Sequence, residues 1–382
     1  MTHFDRKLDL SQASQRKSLF LFSPRQTGKT TLLKKRFPEA PFYNLLLSDV
    51  FLKLSQRPQR IREELLAQNT PTSTPIIIDE IQKLPVLLDE VHHLIEEHGY
   101  HFILTGSSPR SLKKGSANLL GGRARTFHLH PLVSAEIPEF DMMRVLNFGA
   151  LPPIYNSCEP NEDLEDYVGS YLKEEIQAEG ATRHIENFSR FLQVASLHNT
   201  QVINFENIAN DSQVPPRTII EYFAILQDTL VGTLLEPFKK TKKRKAITSA
   251  KFYFFDVGVA NILAGNFKIT KGSTLFGTVF EHFIFTEIQA YLSYSRDKRA
   301  LSFWRTHGGY EVDFVIGDNV AIEVKGSHTV TEKHLKSMKA FSSEIKPKQK
   351  LVVSLEDKAR KIDDVLILPV NDFLTRLWGG EL

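Results

Sequence analysis

The chain has 382 residues, of which 41% are hydrophobic and 24% are charged, and its formal net charge is +3. This length argues against a single compact core and favours a globular chain of two or three domains, while the mild positive charge permits nucleic-acid contact without arguing for it. A single cysteine, Cys158, excludes an internal disulfide and a multi-cysteine zinc site and favours a reducing, cytoplasmic location. No apolar run approaches the ~18 residues of a membrane span, and no signal-peptide core follows the charged residues 1–7.

The first strong motif is S-P-R-Q-T-G-K-T, at residues 23–30. An apolar run precedes it and a helix-forming run follows it, so the context predicts strand, loop and helix. Such a loop cradles a polyphosphate with its backbone N–H groups, while Lys29 reaches the β and γ phosphates and Thr30 holds Mg²⁺. The residues expected to contact the nucleotide are Ser23, Pro24, Arg25, Gln26, Thr27, Gly28, Lys29, Thr30 and Thr31, together with Asp79 and Ser107 from strands further along the chain.

Ser23 stands where the usual pattern, G-x-x-x-x-G-K-[ST], has its first glycine. Serine is small enough to leave the strand end without a clash, but it lacks the freedom that glycine has at positive φ. The alternative interpretation is a surface turn that happens to read G-K-T, and the motifs further along the chain argue against it.

A β-branched run that ends in two acids, I-I-I-D-E, occupies residues 76–80, after a second strand candidate at residues 42–47. A fully apolar run is typical of a buried parallel strand, and acids at its C-terminal end lie where open α/β sheets bind ligands. We expect Asp79 to hold the Mg²⁺ shell through water and Glu80 to polarise the attacking water. A plain core strand with surface acids is the alternative, which the upstream loop disfavours.

The next buried strand, at residues 101–108, ends in small hydroxyl residues. A polar side chain at this place can sense the γ-phosphate, with Ser107 as the first candidate and Thr105 as the second, although an ordinary Gly-Ser turn fits equally well. Arg123 and Arg125 precede a further strand. Either arginine can act as a finger or sensor that neutralises transition-state charge, and a solvated basic turn is the equal alternative.

These motifs resemble the N-terminal domain of a widespread group of prokaryotic AAA-type ATPases whose C-terminal domain, of unknown function, resembles restriction endonucleases. The resemblance covers nearly the whole chain and implies ATP and Mg²⁺ as cofactors; Ser23 is its main departure and puts nucleotide affinity in question. The matching stretches read S-P-R-Q-T-G-K-T, I-I-I-D-E-I-Q, L-T-G-S-S, L-L-G-G-R-A and H-P-L, then G-A-L-P-P at 149–153, Y-L-K-E-E-I at 171–176, F-Y-F-F-D-V-G at 252–258 and F-W-R-T at 303–306.

The middle of the chain predicts three helices, at residues 188–195, 205–210 and 217–228, in a winged-helix outline. Proline is placed to open the third helix. Its core stripe is expected to comprise Ile219, Ile220, Phe223 and Leu226, with Arg217, Thr218, Glu221 and Tyr222 outward. One arginine beside a glutamate is a poor reader of a DNA groove, so a structural or protein-contacting module is favoured.

A basic run, K-K-T-K-K-R-K from Lys239 to Lys245, follows the helices. Clustered cations release counterions from a phosphate backbone, so the run is a candidate DNA contact. A solvated loop explains the same residues equally well.

The last domain predicts three strands, at residues 301–306, 311–316 and 320–325. Side chains alternate between the faces of a strand, so Glu311 shares a face with Asp313 and Glu323 shares one with Lys325. An aspartate followed by E-x-K on the neighbouring strand is the arrangement of metal-dependent nucleases of the restriction-endonuclease type. Asp313 and Glu323 would bind Mg²⁺ and Lys325 would orient or activate water. An exposed strand with a surface salt bridge is the alternative.

The helix before these strands adds a fourth member, Glu281. It falls inside an apolar arc, three residues before Ile284 and seven before Ile288. A carboxylate there must find a partner or a metal, because a lone buried charge is costly. We expect Glu281 to lie within one water of the ion.

The sequence therefore predicts an α/β chain of three parts: an AAA-type P-loop ATPase domain over residues 1–135, a helical winged-helix linker over 136–236 and a PD-(D/E)XK nuclease-like domain over 237–382. The expected function is ATP hydrolysis that switches or positions a Mg²⁺-dependent nuclease acting on DNA. The alternatives are an ATP-gated DNA- or protein-binding regulator with an inactive nuclease-like fold, and a pure ATPase that serves another effector. A protein partner or homo-oligomer is compatible with either arginine acting in trans, and no membrane contact is expected.

Overall fold

The structure, a computed structural model, describes residues 4–110, 120–172, 185–240 and 247–382. The chain divides into two compact units. The nucleotide unit, as we name it, comprises Arg6–His130 and Asp228–Leu230. The second unit comprises Met1–Asp5, Pro131–Gln227 and Val231–Leu382.

A parallel five-stranded sheet forms the centre of the nucleotide unit, with the strand order β2-β3-β4-β1-β5 in the described residues. Its central strands are continuous apolar runs that are buried along their whole length, as expected for a sheet covered on both faces. The strands are β1 Ser18–Phe22, β2 Phe42–Asn44, β3 Ile76–Asp79, β4 Phe102–Gly106 and β5 Ala124–His128. Because they are parallel, their C-terminal ends meet at one edge, and β1, β3 and β4 end beside one another there.

Five helices of the described residues accompany this sheet, and the last three of them bury apolar residues in one cluster with its strands. They are α1 Ser11–Arg16, α2 Lys29–Arg36, α3 Ser48–Gln56, α4 Arg60–Ala67 and α5 Leu87–His98, with a 3-10 turn at Ile81–Lys83. The strand predicted at residues 42–47 is shorter than expected. Leu46 and Leu47 are 56% and 52% exposed, because the chain turns after Asn44 into α3.

The first half of the second unit is helical. Its elements are a 3-10 turn at Ser134–Glu136, α6 Met142–Phe148, α7 Pro152–Tyr155, α8 Pro160–Asp166, a π-helical turn at Tyr167–Leu172, α9 Ile185–Leu197, α10 Phe205–Ser212, α11 Pro216–Asp228 and α12 Val257–Leu263. Between the last two helices, β6 Gly232–Leu235 and β7 Lys251–Phe254 pair antiparallel. The three helices predicted between residues 188 and 228 are confirmed as α9, α10 and α11.

The buried face of α11 differs from the prediction at two positions. Tyr222 was expected outward, but it is 4% exposed and packs edge-on against the rings of Phe188 and Phe191. Ile220 was expected in the core, but it is 51% exposed. The core stripe therefore follows positions 219, 222, 223 and 226, the i, i+3, i+4, i+7 spacing of one helix face, and tyrosine fits it because its ring is apolar.

The hydrophobic cluster around these helices continues into the sequence that follows them. Phe252, Phe254 and Val259 are buried in the same cluster as Phe223. The predicted division at residue 236 therefore cuts through one continuous hydrophobic cluster.

The second half of the second unit carries a mixed sheet with the order β12-β13-β11-β10-β9-β8 in the described residues. Its elements are α13 Phe276–Tyr294, β8 Leu301–Arg305, β9 Glu311–Ile316, β10 Val320–Lys325, a 3-10 turn at Glu332–Leu335, α14 Lys336–Ile345, β11 Gln349–Ser354, β12 Arg360–Ile362, β13 Val365–Pro369 and α15 Val370–Trp378. The three strands β8 to β10 are antiparallel neighbours, while β10, β11 and β13 are parallel. The bounds predicted for β9 and β10 are confirmed. Among the described helices, none combines the length and the apolar content needed to cross a membrane.

Candidate functional site

The loop between β1 and α2 has the backbone geometry that a phosphate site needs. Gly28 caps α2 at φ 94°, a left-handed conformation that glycine adopts without steric cost. Helix α2 then begins at Lys29, which is 6% exposed. The Lys29 ammonium donates to the backbone oxygen of Ser23 at 3.0 Å and to its Oγ at 3.1 Å. The lysine therefore lies over the loop.

The serine at the first position of the motif is built into this loop. Ser23 Oγ lies 2.6 Å from Thr27 Oγ1, and both residues are fully buried. Thr27 Oγ1 also donates to the Pro24 backbone oxygen at 2.9 Å. Besides Gly28, the loop residue at positive φ is Gln26, at 60°, and Ser23 is not at positive φ. The loss of glycine at position 23 therefore introduces no backbone strain. Of the remaining predicted contacts, Arg25 and Thr30 are half-buried and Thr31 is exposed.

The acidic end of β3 meets the loop through a side-chain hydrogen bond. Thr30 Oγ1 donates to Asp79 Oδ2 at 2.8 Å, which joins residues that are 49 positions apart in the chain. Thr105 Oγ1 donates to Asp79 Oδ1 and accepts the Glu80 backbone N–H at 3.1 Å. Asp79 is 1% exposed. The second sensor candidate, Thr105, thus holds this carboxylate in place.

Glu80 follows with a left-handed backbone, at φ 62° and ψ 47°. A non-glycine residue in this region is uncommon and is often found at functional sites. Gln82 Nε2 donates to Glu80 Oε2 and lies 3.4 Å from Ser107 Oγ. Gln82 therefore links the predicted water-polarising residue to the first sensor candidate. The sequence interpretation missed Gln82, and the only available signal was a polar residue two positions after the acids.

Arg123 and Arg125 are not brought to this site. The register pairs Ser18 with Ala124 and Leu19 with Arg125, at the start of β1, whereas the phosphate loop follows its other end. Five strand residues separate the two edges by roughly 13–16 Å. The Arg123 guanidinium instead donates to Glu96 Oε1 on α5. Within one chain, both arginines lie at the sheet edge opposite the loop.

Arg6 is a second residue that the sequence interpretation missed. Its guanidinium donates to the backbone oxygens of Thr27 and His130, both at 2.6 Å. Burial lowers the pKa of His130 to about 3, so that its imidazole is neutral near pH 7. Arg6 therefore braces the phosphate loop against the chain that leaves β5. Arg6 belongs to no recognisable motif, whereas His130 opens the H-P-L stretch.

A cluster of carboxylates and lysines forms where β9 and β10 run side by side. Lys325 Nζ lies 2.7 Å from Glu323 Oε1, and the Val324 backbone N–H donates to Asp313 Oδ2 at 2.7 Å. Asp313 and Glu323 are 7% and 4% exposed. Burial, followed by the charge of Asp313, raises the pKa of Glu323 to about 8. The structure therefore brings together the three residues of the predicted nuclease site: Asp313, Glu323 and Lys325.

One oxygen of this cluster is buried without a hydrogen-bond partner in the described part of the chain. It is Glu323 Oε2, the atom of that carboxylate that Lys325 does not contact. Carboxylate oxygens are the ligands that Mg²⁺ and Mn²⁺ prefer, so this atom fits a bound cation. Within the described residues, however, no three His, Cys, Asp or Glu side chains are arranged to hold one metal ion together.

Glu281, predicted as the fourth metal residue, contacts a lysine and a tyrosine, and its metal role stays a prediction. Its Oε1 accepts from Lys251 Nζ at 2.9 Å and from the Tyr253 hydroxyl at 2.6 Å. Burial raises the pKa of Glu281, and the charge of Lys251 opposes that rise. Lys251 also lies 2.5 Å from Glu311 Oε1. The buried carboxylate has found a lysine as its partner, and Lys251 is a residue that the sequence interpretation did not assign to the cluster.

The basic run at residues 239–245 is described only at its start. Lys239 lies 3.4 Å from Glu236 and Lys240 lies 3.1 Å from Asp318, both in exposed pairs. Residues 241–245 lie outside the described part of the chain, so the predicted DNA contact remains a prediction.

The nucleotide unit has the geometry of a P-loop protein. The first strand of its parallel sheet leads into the G-K-T loop, and the acid at the end of β3, which lies two strands from β1, is bonded to the loop threonine. Residues 15–138 match the sequence model of the AAA domain. The chain therefore contains an AAA-type P-loop ATPase domain. Residues 139–270 match a domain of unknown function, DUF8612, and residues 276–373 match another, DUF4143.

A curated relative with a matching sequence is the uncharacterized protein MJ1544 of Methanocaldococcus jannaschii. It is 23% identical over 361 residues, which cover 85% of this chain and 78% of the relative.

Solved structures with partial likeness come from three archaea. The Walker-type ATPase PABY2304 of Pyrococcus abyssi has a TM-score of 0.45 and 14% identity, covering 66% of this chain and 93% of that one. The ORC1 protein of Aeropyrum pernix, in complex with DNA, has a TM-score of 0.25 and 12% identity, covering 65% and 87%. The STAND protein PH0952 of Pyrococcus horikoshii, with a tetratricopeptide repeat sensor, has a TM-score of 0.23 and 17% identity, covering 76% and 46%. These TM-scores are too low to carry an argument about the chain.

Proposed function

We propose that this protein binds and hydrolyses ATP in its nucleotide unit. The observation that carries the proposal is the 2.8 Å hydrogen bond from Thr30 Oγ1 to Asp79 Oδ2. It joins the hydroxyl that a P-loop offers to Mg²⁺ with the acid that a second strand of the same sheet offers to the same ion. A surface turn with the sequence G-K-T would not be expected to form a hydrogen bond with a buried aspartate.

Each residue of the loop has a role in this proposal. Lys29, now bonded to Ser23, turns to the β and γ phosphates, while the N–H groups that begin α2 bind phosphate oxygens. Thr30 and Asp79 would hold Mg²⁺, which when bound would supply positive charge beside the transferring phosphoryl group. Glu80 orients the attacking water, with its carboxylate positioned by Gln82. Ser107 reports whether the γ-phosphate is present.

Two substitutions test the proposal in different ways. Lys29→Ala should abolish ATP binding, whereas Glu80→Gln should bind ATP like the parent and hydrolyse it roughly 10²–10⁴-fold more slowly, because only the group that activates water is lost. Binding is measured with a fluorescent ATP analogue and turnover by phosphate release. Lys34→Ala and Glu97→Gln, on exposed helix positions, are the matched controls. Parent-like hydrolysis by Glu80→Gln would show that the catalytic role assigned to this glutamate is wrong.

We also propose a second function, Mg²⁺-dependent cleavage of DNA by Asp313, Glu323 and Lys325. The specific observation in its favour is the buried, unpartnered Oε2 of Glu323 beside Asp313 and Lys325. The order α13, β8, β9, β10, α14, β11 is also the element order expected for a PD-(D/E)XK fold. In this role Asp313 and Glu323 would bind the ion, and Lys325 would orient or activate the water that attacks phosphorus.

The helical half of the second unit suggests how such an activity reaches its substrate. Helices α9 to α11, followed by the β6–β7 pair, have the element order of a winged helix, and we propose that this module contacts a partner, with ATP hydrolysis positioning the C-terminal domain. A regulator that uses the nuclease-like fold only as a docking surface is the alternative.

Cleavage of plasmid and oligonucleotide substrates with Mg²⁺ or Mn²⁺, with and without ATP, separates the two possibilities. Asp313→Ala and Glu323→Ala should each remove cleavage and ion binding, and Lys325→Ala should remove cleavage but keep the ion. Asp357→Ala, at an exposed position, is the control. No cleavage of any DNA or RNA, together with no bound Mn²⁺, would leave the regulator as the supported function.

A further inference from the structure

A buried lysine lies among the carboxylates of the C-terminal cluster. Lys251 is 2% exposed, and its Nζ is 5.5 Å from the centroid of the Phe303 ring. The same Nζ lies 2.9 Å from Glu281, 2.5 Å from Glu311 and 4.0 Å from Asp313. A buried ammonium costs several kcal/mol unless it is paired, and here it has three acidic partners. Lys251 is thus the centre of the cluster.

The strand that carries Lys251 is built for this contact. Lys251 and Tyr253 are two residues apart on β7, so their side chains leave the same face of the strand. Both donate to Glu281 Oε1, and the Tyr253 ring stacks on Phe285 with centroids 4.0 Å apart. Leu235 of β6 pairs with Lys251 and fixes the register of the strand. The position of the Lys251 ammonium is therefore fixed both by the pairing of its strand and by the carboxylate that it contacts.

The charges of the cluster show what the lysine replaces. With all groups ionised, the carboxylates outnumber the cations by one, and loss of the Lys251 charge would raise this excess of negative charge to two. The carboxylates are Glu281, Glu311, Asp313 and Glu323, and the cations are Lys251, Lys325 and Arg305.

We propose that the Lys251 ammonium occupies one cation position of this cluster and competes there with a divalent metal ion. The inference rests on the second function above, that Asp313 and Glu323 bind a metal. An ion bound to the parent protein then lies beside Glu323 Oε2, while Lys251 supplies the second positive charge between Glu281, Glu311 and Asp313. Lys251 is a positioning residue that sets how many ions the cluster accepts.

The test compares metal binding by the full-length parent and the Lys251→Met variant, in which the apolar stem is kept and the charge is lost. Mn²⁺ alone is titrated into nucleotide-free protein, and free Mn²⁺ is followed by electron paramagnetic resonance. Lys251→Met should bind one more Mn²⁺ per chain than the parent, or bind Mn²⁺ at least tenfold tighter. Lys350→Met, at a strand lysine that pairs with Asp364, should match the parent.

A charge-neutral variant guards against a Lys251→Met chain that does not fold. The double variant Lys251→Met with Glu311→Gln removes one cation and one anion together, so the net charge of the cluster is unchanged. It should also gain Mn²⁺ affinity, because the position between Glu281 and Asp313 is open. Millimolar Mn²⁺ should raise its Tm by more than it raises that of the parent.

The outcomes separate this inference from the nuclease proposal. If the variants gain Mn²⁺ while the parent binds none and cleaves nothing, Lys251 occupies the cation position and the nuclease proposal fails. If the parent binds Mn²⁺ and cleaves DNA while both folded variants match it within about twofold, the inference is overturned and the nuclease proposal stands. No binding by any of the proteins overturns both.

Discussion

The nucleotide site and the C-terminal cluster both hold carboxylates that are largely shielded from solvent, but they balance the negative charge in different ways. Within the described residues, Asp79 is held by the hydroxyls of Thr30 and Thr105, which orient a carboxylate without neutralising it. Glu281 and Glu323 are held by lysines, which do neutralise them. A site that orients its acid with neutral donors leaves the charge for an incoming cation, whereas a site with its own cations is nearly balanced without one.

The largest expected effect tests the first half of this comparison. Asp79→Asn keeps one oxygen as an acceptor for one of the two hydroxyl donors and places an amide NH2 against the other hydroxyl, which can accept from it. The substitution removes the charge that an incoming cation needs. We expect kcat/KM for ATP to fall at least ~100-fold while the fold is retained, since metal-dependent phosphoryl transfer relies on this charge. Steady-state phosphate release measures it, and exposed Asp89→Asn is the control. Activity within threefold of the parent would remove Asp79 from the proposed metal site.

Within the described part of the chain, Asp256 is a buried carboxyl with neither hydroxyl nor lysine partners, and it extends the comparison to stability. Asp256 is 2% exposed and accepts the N–H groups of Ala150 at 2.8 Å and Val259 at 3.1 Å. Burial raises its pKa to about 6. Because the folded pKa lies above the unfolded one, the stability from this group is complete below about pH 4 and is lost as pH rises through 6.

The loss should amount to at most ~3 kcal/mol between pH 4 and 6, from a shift of about two units. Urea unfolding at a series of pH values should show this slope in the parent and a flatter curve for Asp256→Asn. Asp357→Asn, at an exposed position, should keep the slope of the parent. Identical pH slopes for the parent and Asp256→Asn would rule out a raised pKa.

Substitution of Arg123 tests whether the nucleotide site is complete within one chain. Arg123 and Arg125 lie at the opposite edge of the sheet, so a role in hydrolysis requires a second chain. Activity per chain should then rise with protein concentration, and an equal amount of Arg123→Ala chain should lower the activity of the parent to about half or less. Arg57→Ala is the mixing control. Concentration-independent activity that mixing does not change would assign both arginines a structural role.

The smallest expected effect concerns Ser23. Its hydroxyl accepts from Lys29 in the nucleotide-free loop, so phosphate must compete with it for the ammonium. Ser23→Gly should tighten ATP binding by roughly two- to fivefold, the worth of a typical net hydrogen bond. Equilibrium binding measures the change, and Ser55→Gly, whose hydroxyl caps an exposed helix turn, should leave it unaltered. Weaker binding by Ser23→Gly would mean that the serine supports the nucleotide-bound loop.

The sequence predicted best those features that are continuous along the chain. The G-K-T loop, the acidic end of β3 and the strands β9 and β10 were located because each depends on a few adjacent residues. The sequence did not predict the contacts of Arg6 and Lys251 or the inward position of Tyr222. Each of these depends on a partner that is far away along the chain: 21 positions for Arg6, 30 for Lys251 and 31 for Tyr222. Periodicity alone does not decide whether a tyrosine or an isoleucine lies on the buried face of a helix. No local sequence pattern indicates that a lysine will be buried.

The left-handed backbone of Glu80 implies a conflict between selection for stability and selection for turnover. A side chain at φ 62° costs on the order of 1 kcal/mol relative to glycine at the same position. A random search for thermostable variants should therefore favour Glu80→Gly, which relieves the strain and removes the carboxylate at once. Such a variant would outlast the parent on heating and still bind ATP, but it would hydrolyse ATP far more slowly. Its appearance in a stability screen would mark the residue whose strain serves the chemistry.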